Sequence, residues 1–234
     1  MVELTCVDLG TVAWESALRL QLRLVEKVKS SQRELAYLLL GEHDPPVITL
    51  GRRGLDEHVL ASPARLAAEG IEVHATDRGG EATYHGPGQL VAYPIIRLDR
   101  RGRDVRAYVR SLEQVAIDTL ARFGVEADRR KGMPGVWVKE EKIAAVGVSV
   151  SRWVTHHGLA LNVDVNLEHF GLFIPCGHSE MRVTSLARLA AGRPDVSRVK
   201  RVFVECIVEE LGFDGWREIG ARAVSYTHLT LPTN

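Results

Sequence analysis

The chain has 234 residues, 45% of them hydrophobic and 26% charged, a composition that supports a packed core and excludes a disordered chain. Lys and Arg number 30, as do Asp and Glu, so bulk charge argues against a nucleic-acid partner, and no apolar run reaches the roughly 18 residues of a membrane span. The three cysteines, Cys6, Cys176 and Cys206, are too few for a disulfide framework. With no basic-then-apolar N-terminal segment, the expectation is a cytoplasmic protein without a membrane partner.

In chain order, residues 2–9 predict a strand. A helix follows with Trp14, Ala17, Leu18, Leu22, Val25 and Val28 inward and Thr11 as its cap. Two apolar runs flank Asp44, Pro45 and Pro46 and predict strand, turn and strand, because neither proline nor its predecessor suits a helix. Ser62 and Pro63 open a short helix that Gly70 closes, and residues 71–75 return to strand. Residues 78–89 hold four glycines and one proline and read as irregular chain, followed by a strand over 90–98. Asp104 caps a helix carrying Val105, Tyr108, Leu112, Val115, Ala116 and Leu120, ended by Gly124. Valine-rich alternation over 135–165 predicts successive strands. A last helix runs from near Asp195 through Val199, Phe203, Cys206 and Ile207 to Gly212. The sum is α+β: a single domain over residues 1–223, a mixed β-sheet with packed helices. Residues 224–234 follow no amphipathic pattern and read as a tail that is non-native.

Three places offer chemistry. Residues 78–89 place Thr83, Tyr84, His85 and Gln89 on a glycine-rich backbone that lets a ligand approach closely; a tight surface loop is the other reading. The spacing matches neither a phosphate loop nor a dinucleotide fingerprint. Lys142 opens a valine-rich run and shares a strand face with Ala144, Val146, Val148 and Val150. It sits either at the strand's wet end or desolvated, and only in the second case does burial make it a useful base. Cys176 lies between Pro175 and Gly177, in a turn where a thiol can be exposed and a neighbouring cation would make it nucleophilic; an incidental loop cysteine is the other reading, whereas Cys6 and Cys206 fall on apolar faces and read as core. His85, His156, His157, His169 and the pair Cys176 and His178 are zinc-type ligands, but no spaced quartet is present and no metal site is expected.

RGGEATYHGPGQLVAYPIIRL, residues 78–98, resembles the signature of the lipoyl(octanoyl) transferases, with matches at Arg78, Gly79, Gly80, Thr83, Tyr84, His85, Gly88, Gln89 and Tyr93. The family's later motifs are met by K-I-A at Lys142, H-G-L-A-L-N over 157–162 and I-P-C-G over 174–177. The resemblance implies a biotin/lipoate protein ligase-like fold and an acyltransferase of lipoate biosynthesis. It would move octanoyl from octanoyl-acyl carrier protein to a lysine of lipoyl domains, those of 2-oxoacid dehydrogenases and of the glycine-cleavage H protein, through a cysteine thioester and without a cofactor. It assigns Cys176 as nucleophile and Lys142 as the group that lowers its pKa. The implied substrate-binding residues are Arg78, Gly79, Gly80, Glu81, Ala82, Thr83, Tyr84 and His85, then Ala145, Val146 and Gly147, then Gly158, Leu159 and Ala160. An ATP-dependent lipoate or biotin ligase is the nearest alternative, and a non-catalytic acyl-binding module is a rival of another class.

Overall fold

The computed structural model describes residues 2–175 and 181–220. Alternating apolar residues build β1 (Glu3–Val12), β2 (Ala36–His43), β6 (Gln89–Ile95), β9 (Glu141–Ser151) and β10 (Val154–Asn162). These strands form the middle of a mixed sheet ordered β12-β1-β2-β6-β10-β9-β8-β7, where β7 is Asp128–Arg130, β8 Met133–Val138 and β12 Gly215–Gly220. Strand alternation sends Leu38, Leu40, Leu90 and Ala92 to one face. There they meet Leu112, Val115 and Ala116 of α3 (Val105–Ala121) and Phe203 and Ile207 of α5 (Val196–Leu211). The opposite face offers Tyr37, Leu39, Val91 and Tyr93 to Ala17, Leu24 and Val28 of α1 (Trp14–Ser30). A second sheet, β4-β3-β5, joins Glu72–Ala75, Val47–Leu50 and Ala82–His85. It has its own cluster around Ile48, Leu50, Leu66 and Tyr84.

Local chemistry explains the helix ends. Asp104 accepts from the backbone N–H groups of Arg106 and Ala107, Asp195 from that of Ser197, and Ser62 from that of Arg65 ahead of α2 (Pro63–Ala68). Gly212 ends α5 in the left-handed region at φ 63°. The helix α1 departs from expectation. Thr11 is still in β1, opposite Glu42 of β2, so the N-cap is Ala13 and has no side-chain cap. Its buried stripe runs through Leu20, Gln21 and Leu24, leaving Leu22 exposed. Gln21 is inward because its Oε1 accepts the backbone N–H of His157 at 2.7 Å.

The run around Asp44 makes strand, turn and strand as expected, with β2 joining the large sheet and β3 the small one. One further expectation is corrected: the glycine-rich stretch contains a regular element, since β5 lies between its glycines and pairs antiparallel with β3, Thr83 opposite Thr49. Cys6 and Cys206 are buried in β1 and α5, as their apolar faces predict, and burial pushes the Cys6 thiol up to about 12. Among the described residues no helix is long and apolar enough to cross a membrane.

Candidate active site

The large sheet, the small sheet and α3 enclose a cavity of about 490 Å³, within the range usual for small-molecule sites, roughly 300–1,000 Å³. Lys142, Ala145, Val146 and Gly147 reach it from β9, and Gly158, Leu159 and Ala160 from β10. Arg78, Gly79, Gly80, Glu81, Ala82, Thr83 and His85 line it from the other side, with Val105 and Val109 of α3. Tyr84 is not among the lining residues. Alternation along β5 turns its ring into the small-sheet cluster, where its hydroxyl meets His169 Nδ1 at 2.7 Å.

Lys142 is buried, with 6% of its surface exposed. The sequence left open whether this end of the strand is wet. It is dry because β8 covers it: Nζ lies 5.4 Å from the centre of the Trp137 ring, and the aliphatic stem crosses Gly135. A Cβ at Gly135 would stand 2.5 Å from Lys142 Cε, and the glycine's φ of 117° suits few other residues.

A small adjoining cavity is lined by Lys142, Thr83, Ala145, Asn162, Pro175 and Met181. Cys176 lies outside the described residues, as does His178. The described chain on either side of residues 176–180 is anchored. Pro175 bridges to Ala82, and Ile174 donates its N–H to the His58 carbonyl at 2.7 Å. On the far side the short strand β11 (Arg182–Val183) pairs with β9, Val183 opposite Lys142.

A buried polar chain ties these walls together. Gln89 Nε2 donates to Asn162 Oδ1 at 2.9 Å and to the Tyr84 carbonyl at 3.1 Å, and Gln89 Oε1 meets His85 Nδ1 at 2.8 Å. Asn162 Nδ2 donates to the Thr184 carbonyl at 3.0 Å. Burial, reinforced by neighbouring His43, holds His85 well below the usual histidine range, so its ring is neutral. Beside it, burial lowers His43 to about 4.

Arg78 lines the cavity, yet its guanidinium also wraps its own loop. Nη2 donates to the Thr49 carbonyl at 2.6 Å and the Glu81 carbonyl at 2.8 Å, and Nε to Thr49 Oγ1 at 3.2 Å. The loop leans on β9, where Gly79 donates its N–H to the Val148 carbonyl at 2.9 Å. A Cβ at Gly147 would come within 3.0 Å of the Gly79 carbonyl oxygen, so that glycine serves loop-to-strand approach. Asp77, which the sequence reading passed over beside Arg78, holds both His156 and His157.

The architecture is that of the lipoate- and biotin-protein ligases. Lipoate-protein ligase A bound with ATP superposes with a TM-score of 0.74 at 16% identity, covering 96% of this chain and 92% of that one. A bi-partite lipoate protein ligase from Thermoplasma acidophilum gives the same score and identity, over 96% of this chain and 90% of that one. The biotin protein ligase of Aquifex aeolicus is more distant, at 0.54 and 13% identity over 91% and 71% of the two chains. Sequence likeness narrows the class. The model of the lipoyl protein ligase A/B catalytic domain matches residues 14–208. The octanoyltransferase of Chloroflexus aggregans is 48% identical over 202 residues, 85% of this chain and 90% of that protein. That of Solibacter usitatus is 52% identical over 182 residues, 78% and 81%. The chain belongs to the lipoyl protein ligase A/B catalytic-domain family and, within it, to the octanoyltransferases.

Proposed function

We propose that this octanoyltransferase works in two steps, with octanoyl-acyl carrier protein as donor, Cys176 as nucleophile, and the lysine of a lipoyl domain as acceptor. In the first step the Cys176 thiolate attacks the acyl carbonyl, a C–S bond forms, and the bond to the carrier's sulfur breaks. One thioester replaces another, at little free-energy cost. In the second, the lysine amine attacks, a C–N bond forms, and the Cys176 sulfur leaves. Thioester becomes amide, which is downhill, so ATP has no role.

Lys142 is the proton carrier in this scheme. It accepts the thiol proton of Cys176, gives it to the departing carrier sulfur, and takes one from the attacking amine. The observation that carries the reading is the convergence on Lys142: Pro175 and Met181, which bracket residues 176–180, line a cavity with this buried lysine side chain. Ala145, Ala160 and Leu159 on the larger cavity's wall supply apolar surface for an eight-carbon chain. A lipoyl domain as acceptor is supported by the Thermoplasma ligase, which is described together with its E2 lipoyl domain.

Incubation with octanoyl-carrier followed by intact-mass measurement is the test. One octanoyl group on the wild type and none on Cys176→Ala supports the scheme; an adduct that persists in the variant sinks it. Free octanoate with ATP and a lipoyl domain gives no product if the donor is a thioester, and product formation in that mixture would instead support an ATP-dependent ligase.

A further inference from the structure

Successive side chains on a strand normally point to opposite faces. His156 and His157 of β10 do not. His157 has φ 55°, in the left-handed region that non-glycine residues seldom occupy, and the two rings lie on one side with centroids 4.8 Å apart and planes tilted by 34°. Both side chains are buried, and both aim Nε2 at the same carboxylate. Asp77 Oδ2 lies 2.9 Å from His156 Nε2, and Asp77 Oδ1 lies 2.8 Å from His157 Nε2. The three ligand atoms all fall within 4.8 Å of one another. Donor atoms about 2.0–2.2 Å from a tetrahedral ion stand about 3.3 Å apart, so small side-chain shifts would admit one.

We propose that Asp77, His156 and His157 form a binding site for a divalent transition-metal ion of the zinc class. Two imidazoles and one carboxylate suit zinc, cobalt or nickel better than calcium or magnesium, which take oxygen ligands. A supporting shell is present on one side: Ser149 Oγ donates to Asp77 Oδ2 at 2.9 Å. It is missing on another, because the buried His156 Nδ1 has no hydrogen-bond partner among the described residues. Asp77 is half-exposed and opens the site to solvent, while His157 forms part of the acyl cavity wall. A bound ion would therefore tie the loop preceding Arg78 to β10 at the edge of that cavity.

The test uses full-length Cys176→Ser protein, which removes a competing thiol, stripped with a chelator. Zinc titration calorimetry should show one equivalent bound, and cobalt should give the visible spectrum of a nitrogen- and oxygen-ligated ion. His156→Gln keeps a donor toward Asp77 but loses the imidazole, and should weaken zinc binding about 100-fold or more. Ser149→Ala should weaken it roughly 10- to 100-fold through Asp77 alone. Zinc should raise the melting temperature of the parent and leave that of His156→Gln unmoved, a comparison that also reports whether the variant folds. A parent that takes up no ion, or equal affinity in the parent and both variants, overturns the proposal.

Discussion

Thr184 donates its backbone N–H to the carbonyl of Lys142 at 3.0 Å, while its own carbonyl accepts from Asn162. The chain re-entering after residue 180 is thus bonded directly to the backbone that carries the candidate base. Asn162 is the hinge of this arrangement, joining Gln89 on β6 to Thr184. Replacing it by alanine strands two buried hydrogen-bonding groups and should cost about 2 kcal/mol of stability. Because the same bond positions the chain at Thr184, just beyond residues 176–180, Asn162→Ala should lower the rate of octanoyl uptake more than it raises KM for the carrier. Urea denaturation and single-turnover acylation measure the two effects.

The role given to Lys142 makes its own demand. Lys142→Met preserves most of the stem that packs on Trp137 and Gly135 but removes the ammonium. Transfer should fall about 10²- to 10⁴-fold, the usual contribution of a positioned acid-base group. The alkylation rate of the Cys176 thiol should also shift to higher pH. An unchanged alkylation profile would remove Lys142 from thiolate formation.

Docking of an acidic carrier protein calls for unspent positive charge near the cavity mouth. Of the arginines crowding residues 97–110, Arg97 pairs with Asp99 at 2.9 Å and Arg100 with Glu34 at 3.3 Å. In the basic run Arg129, Arg130 and Lys131, the two arginines pair with Glu113 and Glu140. Arg106 and Arg110 are exposed on α3, one turn apart, and next to the cavity-lining Val105 and Val109. Reversing both charges (Arg106→Glu with Arg110→Glu) should raise KM for octanoyl-carrier and flatten its dependence on ionic strength. Turnover of a small octanoyl thioester should be unchanged. A KM for the carrier that ignores salt in the wild type would count against steering by these residues.

Stability should fall as pH drops below neutrality. His43 is fully buried, with Nε2 2.7 Å from the Tyr93 hydroxyl and Nδ1 2.9 Å from the Val12 carbonyl, and burial lowers it from the ordinary histidine value of 6.5 to about 4. Between those values the unfolded chain binds a proton that the folded chain refuses. The stability contributed by keeping this ring neutral is therefore complete above about 6.5 and is lost as pH falls toward 4, by roughly 3 kcal/mol. His85 and His156 are lowered in the same direction. Melting temperatures at pH 7.5 and 5.5 should show the decline in wild type and a smaller decline in His43→Gln, whatever that variant's absolute stability.

How far the sequence reaches is visible in particular residues. Asp104, Asp195, Ser62 and Gly212 act within one turn of their own position, so helix ends were readable from local pattern alone. Leu22 was misplaced inward because helical spacing admits more than one stripe. The actual stripe includes Gln21, whose partner His157 is 136 residues away. The strand β5 was hidden because its four residues lie among glycines and exist only through pairing with β3. Lys142 could be placed on a strand, but its burial depends on Trp137 and Gly135 of β8 and on β11, which alternation within β9 does not encode. Asp77 gave no signal of its own. Its importance arises when the bend at His157 brings two rings to it.

Chain-length preference follows from the cavity. Each methylene buried contributes about 0.8 kcal/mol, so shortening the acyl group from octanoyl to hexanoyl should cost about 1.6 kcal/mol and lower kcat/KM roughly 15-fold. Gly158 sits in this wall, but its missing side chain does not provide room for the acyl group: a Cβ there would meet the Ala92 carbonyl oxygen at 2.2 Å. Gly158→Ala should therefore push β10 from β6 and cost about 1–3 kcal/mol, lowering activity for every chain length alike. Ala160→Val, by contrast, adds bulk from β10, where Ala160 lines the cavity. It should depress turnover of octanoyl more than of hexanoyl thioesters. Equal depression of both substrates by Ala160→Val would mean that the acyl chain lies elsewhere.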